Sequence, residues 1–175
     1  DPEYRKAIVF SLSDLVRHLR QGDEAFILAF SDQLDFVQDL TDNAQLLEEA
    51  MDQMKPAKGA ALFDAVAFAA GHLKRIAKNQ NRVLLVISDG GDNHSRYTAK
   101  EVQDLVRESD VLIYSIGVFG GSNSPEEYGG PDLLRRISEQ TGARLYIANP
   151  VEMPDIARHV GLELRNRYVL GYAPT

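Results

Sequence analysis

The chain has 175 residues, 44% hydrophobic and 26% charged, with 19 Lys and Arg against 26 Asp and Glu and a formal net charge of −7. These are the proportions of a globular domain, and a chain of this length buries roughly two-thirds of its unfolded surface. The acidic balance argues against nucleic-acid binding, no apolar run approaches the ~20 residues of a membrane helix, and the absence of cysteine removes disulfides, thiolate nucleophiles and Cys-based zinc sites.

Asp1-Pro2-Glu3 opens the chain with neither an initiator Met nor a signal-like segment, and predicts a piece of a longer product. Pro2 and Glu3 also suit the first turn of a helix, and Ile8, Leu12, Leu15, Val16 and Leu19 continue it at helical spacing up to Gly22. The apolar run 25–30 (Ala-Phe-Ile-Leu-Ala-Phe) predicts a strand buried on both faces, and 34–40 an edge strand. Residues 43–54 form a short helix, ended by Pro56 and Gly59. Leu62, Val66, Ala69, Ala70, Leu73 and Ile76 trace one face of a longer one.

Val83-Leu84-Leu85-Val86-Ile87 is the most hydrophobic run and predicts a central strand, stopped by the turn Ser88-Asp89-Gly90-Gly91-Asp92. A helix over 98–109 leads to a second buried strand over 111–118. Residues 120–131 hold four Gly, two Pro and two Ser, and predict a mobile loop. Leu133, Leu134 and Ile137 then mark a helix, 145–148 a strand, Ile156, Val160 and Leu164 a last helix, and 168–172 a final strand. The four histidines divide into His94 on a loop and His18, His72 and His159 on helices, where they read as surface or rim residues. Strands alternating with helices imply a doubly wound α/β unit with a mainly parallel sheet covered on both faces. No repeat or linker divides residues 1–175, so one domain is expected.

In open α/β sheets, ligands bind beyond the carboxyl ends of the strands. Ser31-Asp32, the turn 88–92 and the stretch 120–131 occupy such ends. Asp89 leaves a hydrophobic strand into two glycines, so its carboxylate can face the crevice, where a hard cation such as Mg²⁺ takes oxygen ligands. Asp89 and Asp92 are equally readable as turn residues, Asp92 through an Asx-type bond. Asp64 follows Leu62-Phe63 and either bonds the ligand loops from behind or caps the helix that starts there. His94, two residues past Asp92, reads as a solvated loop histidine or as a contributor to a metal site. No dinucleotide fingerprint, phosphate-binding loop or Gly-x-Ser-x-Gly elbow is present. Gly120-Gly121-Ser122-Asn123-Ser124 leads into Glu126-Glu127, which would repel a phosphate.

The stretch 22–32 (Gly-Asp-Glu-Ala-Phe-Ile-Leu-Ala-Phe-Ser-Asp), Ala60-Ala61-Leu62-Phe63-Asp64-Ala65, the run 83–92, the strand 111–118 and Arg167-Tyr168-Val169-Leu170-Gly171-Tyr172-Ala173-Pro174 together resemble a von Willebrand factor type A domain of the bacterial subgroup. The resemblance covers nearly the whole chain in order. It implies a Rossmann-like fold and a protein-interaction or adhesion module, not an enzyme, with a metal-ion-dependent adhesion site in which a bound divalent cation is completed by an acidic side chain of a partner protein. Asp89 matches the Asp of that site's Ser-Asp-Gly turn. Ser31, Asp32, Asp64, Ser88, Asp92 and His94 would form its rim or stand behind it.

Two departures weaken the site. Ala60 stands where a Thr hydroxyl is expected, and the Asp-x-Ser-x-Ser motif is absent together with the first, central strand that precedes it. Without that strand two neighbours would keep unpaired backbone groups and a slot would open through the core, which predicts N-terminal truncation, the alternative being that residues 168–172 or a strand of a neighbouring molecule fills the slot. The resemblance also favours a periplasmic or secreted location. The competing reading is a metal-assisted hydrolase or phosphoryl-transfer enzyme using Asp89 and Asp92.

Overall fold

The computed structural model describes residues 2–54, 59–119 and 125–166, residues 125–129 as backbone only. Helix α1 (Pro2–Arg17) starts on Pro2 and Glu3, as the first-turn chemistry requires. Strands β1 (Ala25–Phe30) and β2 (Leu34–Thr41) follow as an antiparallel pair. Helix α2 (Ala44–Gln53) is capped by Asn43, whose side chain accepts from the N–H groups of Gln45 and Leu46. After α3 (Leu62–Ile76) come β3 (Arg82–Ser88), α4 (Ala99–Arg107), β4 (Val111–Gly117), α5 (Pro125–Gln140), β5 (Leu145–Ile147) and α6 (Met153–Arg165). Helix α4 carries a complete capping box between Thr98 and Glu101.

The described strands form two sheets: β1-β2, and a parallel sheet in the order β3-β4-β5. Alternation along β1 and β3 shows what covers their faces, since successive side chains point to opposite sides. Phe26, Phe30, Leu84 and Val86 pack into the core built on α3, α4 and α5, which centres on Leu62, Ile113 and Leu134. Ala25 and Ile27 instead meet Val16 of α1 with Leu47 and Met51 of α2. Leu85 and Ile87 pack with Ala7 and Ile8 of α1 and Ile156 of α6. The expected α/β fold, with helices on both faces of the strands, is present.

Four local expectations change. All six residues of β1 are half-buried, not buried on both faces, because among the described residues no strand lies along the edge it turns away from β2. Among the described strands β3, expected to be central, accordingly ends its sheet and faces β1 across a cleft. Within 120–131, the part from Pro125 onward is the start of α5, with Pro131 inside the helix. The signal was Pro125-Glu126-Glu127, the same opening as Pro2-Glu3: a proline that loses no needed hydrogen bond, followed by acids that suit the positive end of the helix dipole. His72 is not a surface residue. Its imidazole, 16% exposed, sits among the rings of Phe26, Phe36 and Phe68, with Nε2 3.5 Å from Asp39 Oδ1. The expected strand over 168–172 lies outside the described residues, as does 120–124.

Candidate functional site at the carboxyl ends of the strands

Three segments meet where β1 and β3 end, and backbone hydrogen bonds weld them. The Ser31 carbonyl accepts from Ala61 N at 2.6 Å, and the Ala60 carbonyl accepts from Asn93 N and His94 N at 3.0 and 3.1 Å. Asn93 Oδ1 returns the contact by accepting from Ala60 N at 3.0 Å. Gly59, at φ +84°, lies between His94 and Asp32: a Cβ there would sit 3.1 Å from the imidazole and 3.2 Å from the Asp32 Cβ. The glycine thus lets these two side chains flank one loop. Ser31 Oγ donates to Asp32 Oδ1 at 3.0 Å.

The turn after β3 separates its polar residues into different tasks. Ser88 is buried, and its Oγ accepts from Gly90 N at 3.0 Å. Asp89 is exposed, with Oδ1 accepting from Gly91 N at 3.0 Å. Gly90, at φ +78°, packs directly on Gly130 of α5, and a Cβ on Gly130 would lie 2.2 Å from the Asp89 carbonyl oxygen. Two glycines therefore press the turn against α5 and fix the backbone from which Asp89 projects.

Asp92 faces inward. Its Oδ2 accepts from Phe63 N at 2.8 Å and from Ser95 Oγ at 2.6 Å, and its Oδ1 from Ser95 N at 3.2 Å. Ser95 Oγ in turn accepts from Asp64 N at 3.1 Å. Helix α3 has no side-chain cap of its own, since Ala61 occupies that position. Asp92 and Ser95, contributed by a distant loop, satisfy its first amides instead.

Asp64 is buried on the first turn of α3, but its carboxylate does not cap that helix. Oδ1 accepts from Arg96 N and Tyr97 N at 2.9 and 3.1 Å, and Oδ2 from Arg96 Nε at 3.1 Å. Burial pushes this carboxyl up, but the hydrogen bonds from Tyr97 and Arg96 outweigh it and hold the group below the ordinary carboxylate range. Asp64 and Asp92 thus clamp loop 92–97 onto α3 by reciprocal bonds. Asn93, Ser95, Arg96 and Gly130 were not singled out from sequence, and Gly59 only as the end of the helix over 43–54. Ser95 alone carried a readable signal, as a hydroxyl three residues after Asp92 in a polar turn.

The donor set bears on whether a cation fits. Among the described residues, no three His, Asp or Glu side chains converge so as to hold a metal ion. Asp92 and Asp64 are engaged by the α3 clamp, and Ala60 offers no hydroxyl oxygen. Asp89 and Asp32 remain as exposed carboxylates, and Asp32 Oδ1 already accepts from Ser31 Oγ. The described residues alone therefore do not assemble a complete ligand set for a divalent cation. The same facts count against a two-carboxylate hydrolase site, because the Asp89–Asp92 pair has only one oxygen cluster facing outward.

Comparison with known proteins agrees with this geometry at the level of fold and family. A protein of Borreliella burgdorferi described as uncharacterized is 26% identical over 148 residues, covering 74% of this chain and 43% of that protein, so the chain spans less than half of its relative's length. The structure resembles that of a von Willebrand factor type A protein from Catenulispora acidiphila, with a TM-score of 0.77 at 16% identity over 94% of this chain and 39% of that one. It also resembles proximal thread matrix protein 1 of the mussel byssus, solved with a zinc-occupied metal-ion-dependent adhesion site, with a TM-score of 0.73 at 18% identity over 94% and 41% of the two chains. The von Willebrand factor type A domain family matches residues 2–91, just over half of the chain, and this protein belongs to that family.

Proposed function

We propose that this chain is a protein-interaction module that binds another protein through the rim at the carboxyl ends of β1 and β3, and not an enzyme. The observation that carries the reading is the contrast between Asp89 and its neighbours. Asp64 and Asp92 are turned inward to hold the loops, whereas Asp89 is exposed on a turn that Gly90 and Gly130 hold rigid. An outward carboxylate at the same strand ends as Ser31, Asp32 and His94, on a backbone packed against α5, loses little ordering entropy on contact with a partner. The family is one of interaction modules, which supports the same reading.

A divalent cation, Mg²⁺ in the first instance, would contact Asp89 here, with its other ligands drawn from outside the described residues. An acidic partner side chain would then complete its shell. The location we infer is periplasmic or secreted, on family resemblance; no described helix is long and apolar enough to cross a membrane.

Photo-crosslinking in the producing cell tests the reading. A reporter at position 94 or 32 is expected to capture one partner, with loss of capture in Asp89→Ala. The same reporter at Lys78, at the opposite end of the strands, captures nothing. Equal capture from position 78 overturns the rim. Hydrolysis of p-nitrophenyl phosphate with Mg²⁺ or Mn²⁺, abolished by Asp89→Ala, would replace the module with the enzyme.

A further inference from the structure

The described loops that follow β1, β3, β4 and β5 carry Asp32, Asp89, Asp92 and Glu152 but a single Lys or Arg, which is Arg96. That side chain is anchored at one end and free at the other. Its Nε donates to Asp64 Oδ2 at 3.1 Å. The Asp64 side chain is 9% exposed, whereas that of Arg96 is 88% exposed. The guanidinium therefore starts from a buried carboxylate and ends in water.

Holding the loop does not require it. The backbone N–H groups of Arg96 and Tyr97 already donate to Asp64 Oδ1, at 2.9 and 3.1 Å, and would do so with any side chain at position 96. An ion pair with one partner this exposed adds little to stability. What the Nε contact does is orient. A guanidinium presents five N–H donors in a rigid planar fork, and here Nε is spent on Asp64 while Nη1 and Nη2 meet no described residue. Two parallel N–H donors facing solvent match the two oxygens of a carboxylate. The backbone beneath is tied on both sides, by Asp92 on the Phe63 amide before it and by the Thr98–Glu101 capping box after it. Tyr97, 41% exposed, stands beside the guanidinium on the same backbone. Arg and Tyr are the side chains that most often dominate binding energy, and both are ordered here before any partner arrives.

We propose that Arg96, with Tyr97 beside it, receives an Asp or Glu side chain of the partner directly, as a bidentate hydrogen-bonded ion pair that uses no metal ion. The proposal rests on the reading of the strand-end rim as the partner surface and names the chemistry of one part of it. Every other fixed charge on these described loops is negative, so an acid of the partner has one place there to be neutralised. With no cation at Asp89, acids placed opposite Asp32 or Asp89 are repelled. A matching partner carries one acid opposite Arg96 and uncharged or basic groups around it.

Magnetic resonance on the intact isotope-labelled protein tests this, with EDTA present and two blocked peptides as probes, acetyl-Gly-Glu-Gly-amide and its Gln counterpart. The Arg96 Nε–H signal is identified by its loss in Arg96→Gln. It is expected to exchange with water more slowly than that of Arg158, an exposed arginine on α6, and to shift together with the Tyr97 amide on adding the Glu peptide but not the Gln peptide. Arg96→Lys keeps the charge and loses the fork, and should bind the Glu peptide about tenfold more weakly. Equal shifts with both peptides, no shift with either, or unchanged binding in Arg96→Lys overturns the proposal. So does a response that needs Mg²⁺ and vanishes in EDTA, because the carboxylate is then read through a cation. Inorganic phosphate that moves the Arg96 signal where the Glu peptide does not assigns a phosphoryl ligand and overturns the carboxylate. These readouts need no partner protein, whereas crosslinking from positions 94 and 32 does, so either reading can fail alone.

Discussion

Replacing Asp92 with alanine removes the side chain that, among the described residues, accepts from the Phe63 amide, and α3 has no local substitute because Ala61 precedes it. Loss of a helix cap costs about 1 kcal/mol, and leaving the half-buried Phe63 N–H and Ser95 hydroxyl without their acceptor adds about 1 kcal/mol more. The expected loss is thus about 2 kcal/mol, or about 4–8 °C in Tm for a chain of this size. Asp92→Asn keeps an acceptor and gives up only the charge at the helix N-terminus, which costs about 0.5 kcal/mol. Asp89→Ala, on the same turn but exposed, should stay within about 0.5 kcal/mol of the parent. Urea unfolding followed by circular dichroism, with equal m-values as the control on two-state behaviour, ranks the three. An Asp92→Ala chain as stable as the parent, or an Asp89→Ala chain destabilised equally, would show that Asp92 does not cap α3.

Three further outcomes follow from the same contacts. Gly130→Ala places a methyl about where the Asp89 carbonyl oxygen lies and should cost about 1–3 kcal/mol, whereas Gly22→Ala, at φ +91° with open space around it, should cost only about 1–2 kcal/mol of backbone strain and leave the rim untouched; chemical shifts of the Gly91 amide distinguish the two. The Asp64 carboxyl lies below its ordinary value of 3.8 in the folded chain, so its contribution is present above that pH and is lost as the pH falls through the lowered value; Asp64→Asn should flatten the acid limb of stability below about pH 4 and nowhere else. Tyr146, half-buried and donating to Glu163 Oε1 at 2.8 Å, has its phenol pushed up to about 12 by that partial burial and by the Glu163 carboxylate. Its stabilisation is full below pH 10 and disappears as the pH rises through about 12, so Tyr146→Phe should remove that alkaline loss, read from urea midpoints across the range and from the missing tyrosinate absorbance.

Most of the elements were legible in the sequence because each is specified locally. The apolar runs 25–30 and 83–87 and the helical spacing of α3 need no knowledge of neighbours. The start of α5 was legible too, in Pro125-Glu126, but the surrounding glycines suggested a loop. His72 was not legible, because its aromatic surroundings come from β1, β2 and its own helix together.

The candidate site divides in the same way. That Asp89, Asp92 and Asp64 lie near strand or helix ends is written in the chain, as is the family resemblance they carry. Which of the three carboxylates faces outward is not. It depends on hydrogen-bond partners 29 to 33 residues away, in Phe63, Arg96 and Tyr97, and on a glycine contact between Gly90 and Gly130. Sequence patterning by itself determined an α/β chain of alternating elements, since hydrophobic period and turn chemistry are local, and the absence of a central strand was what the family resemblance implied. Only the tertiary structure decided that the sheet divides at that place, with a shaped apolar cleft between β1 and β3, and that two acids of the site are spent on holding α3, because burial and long-range pairing exist only once the chain has folded.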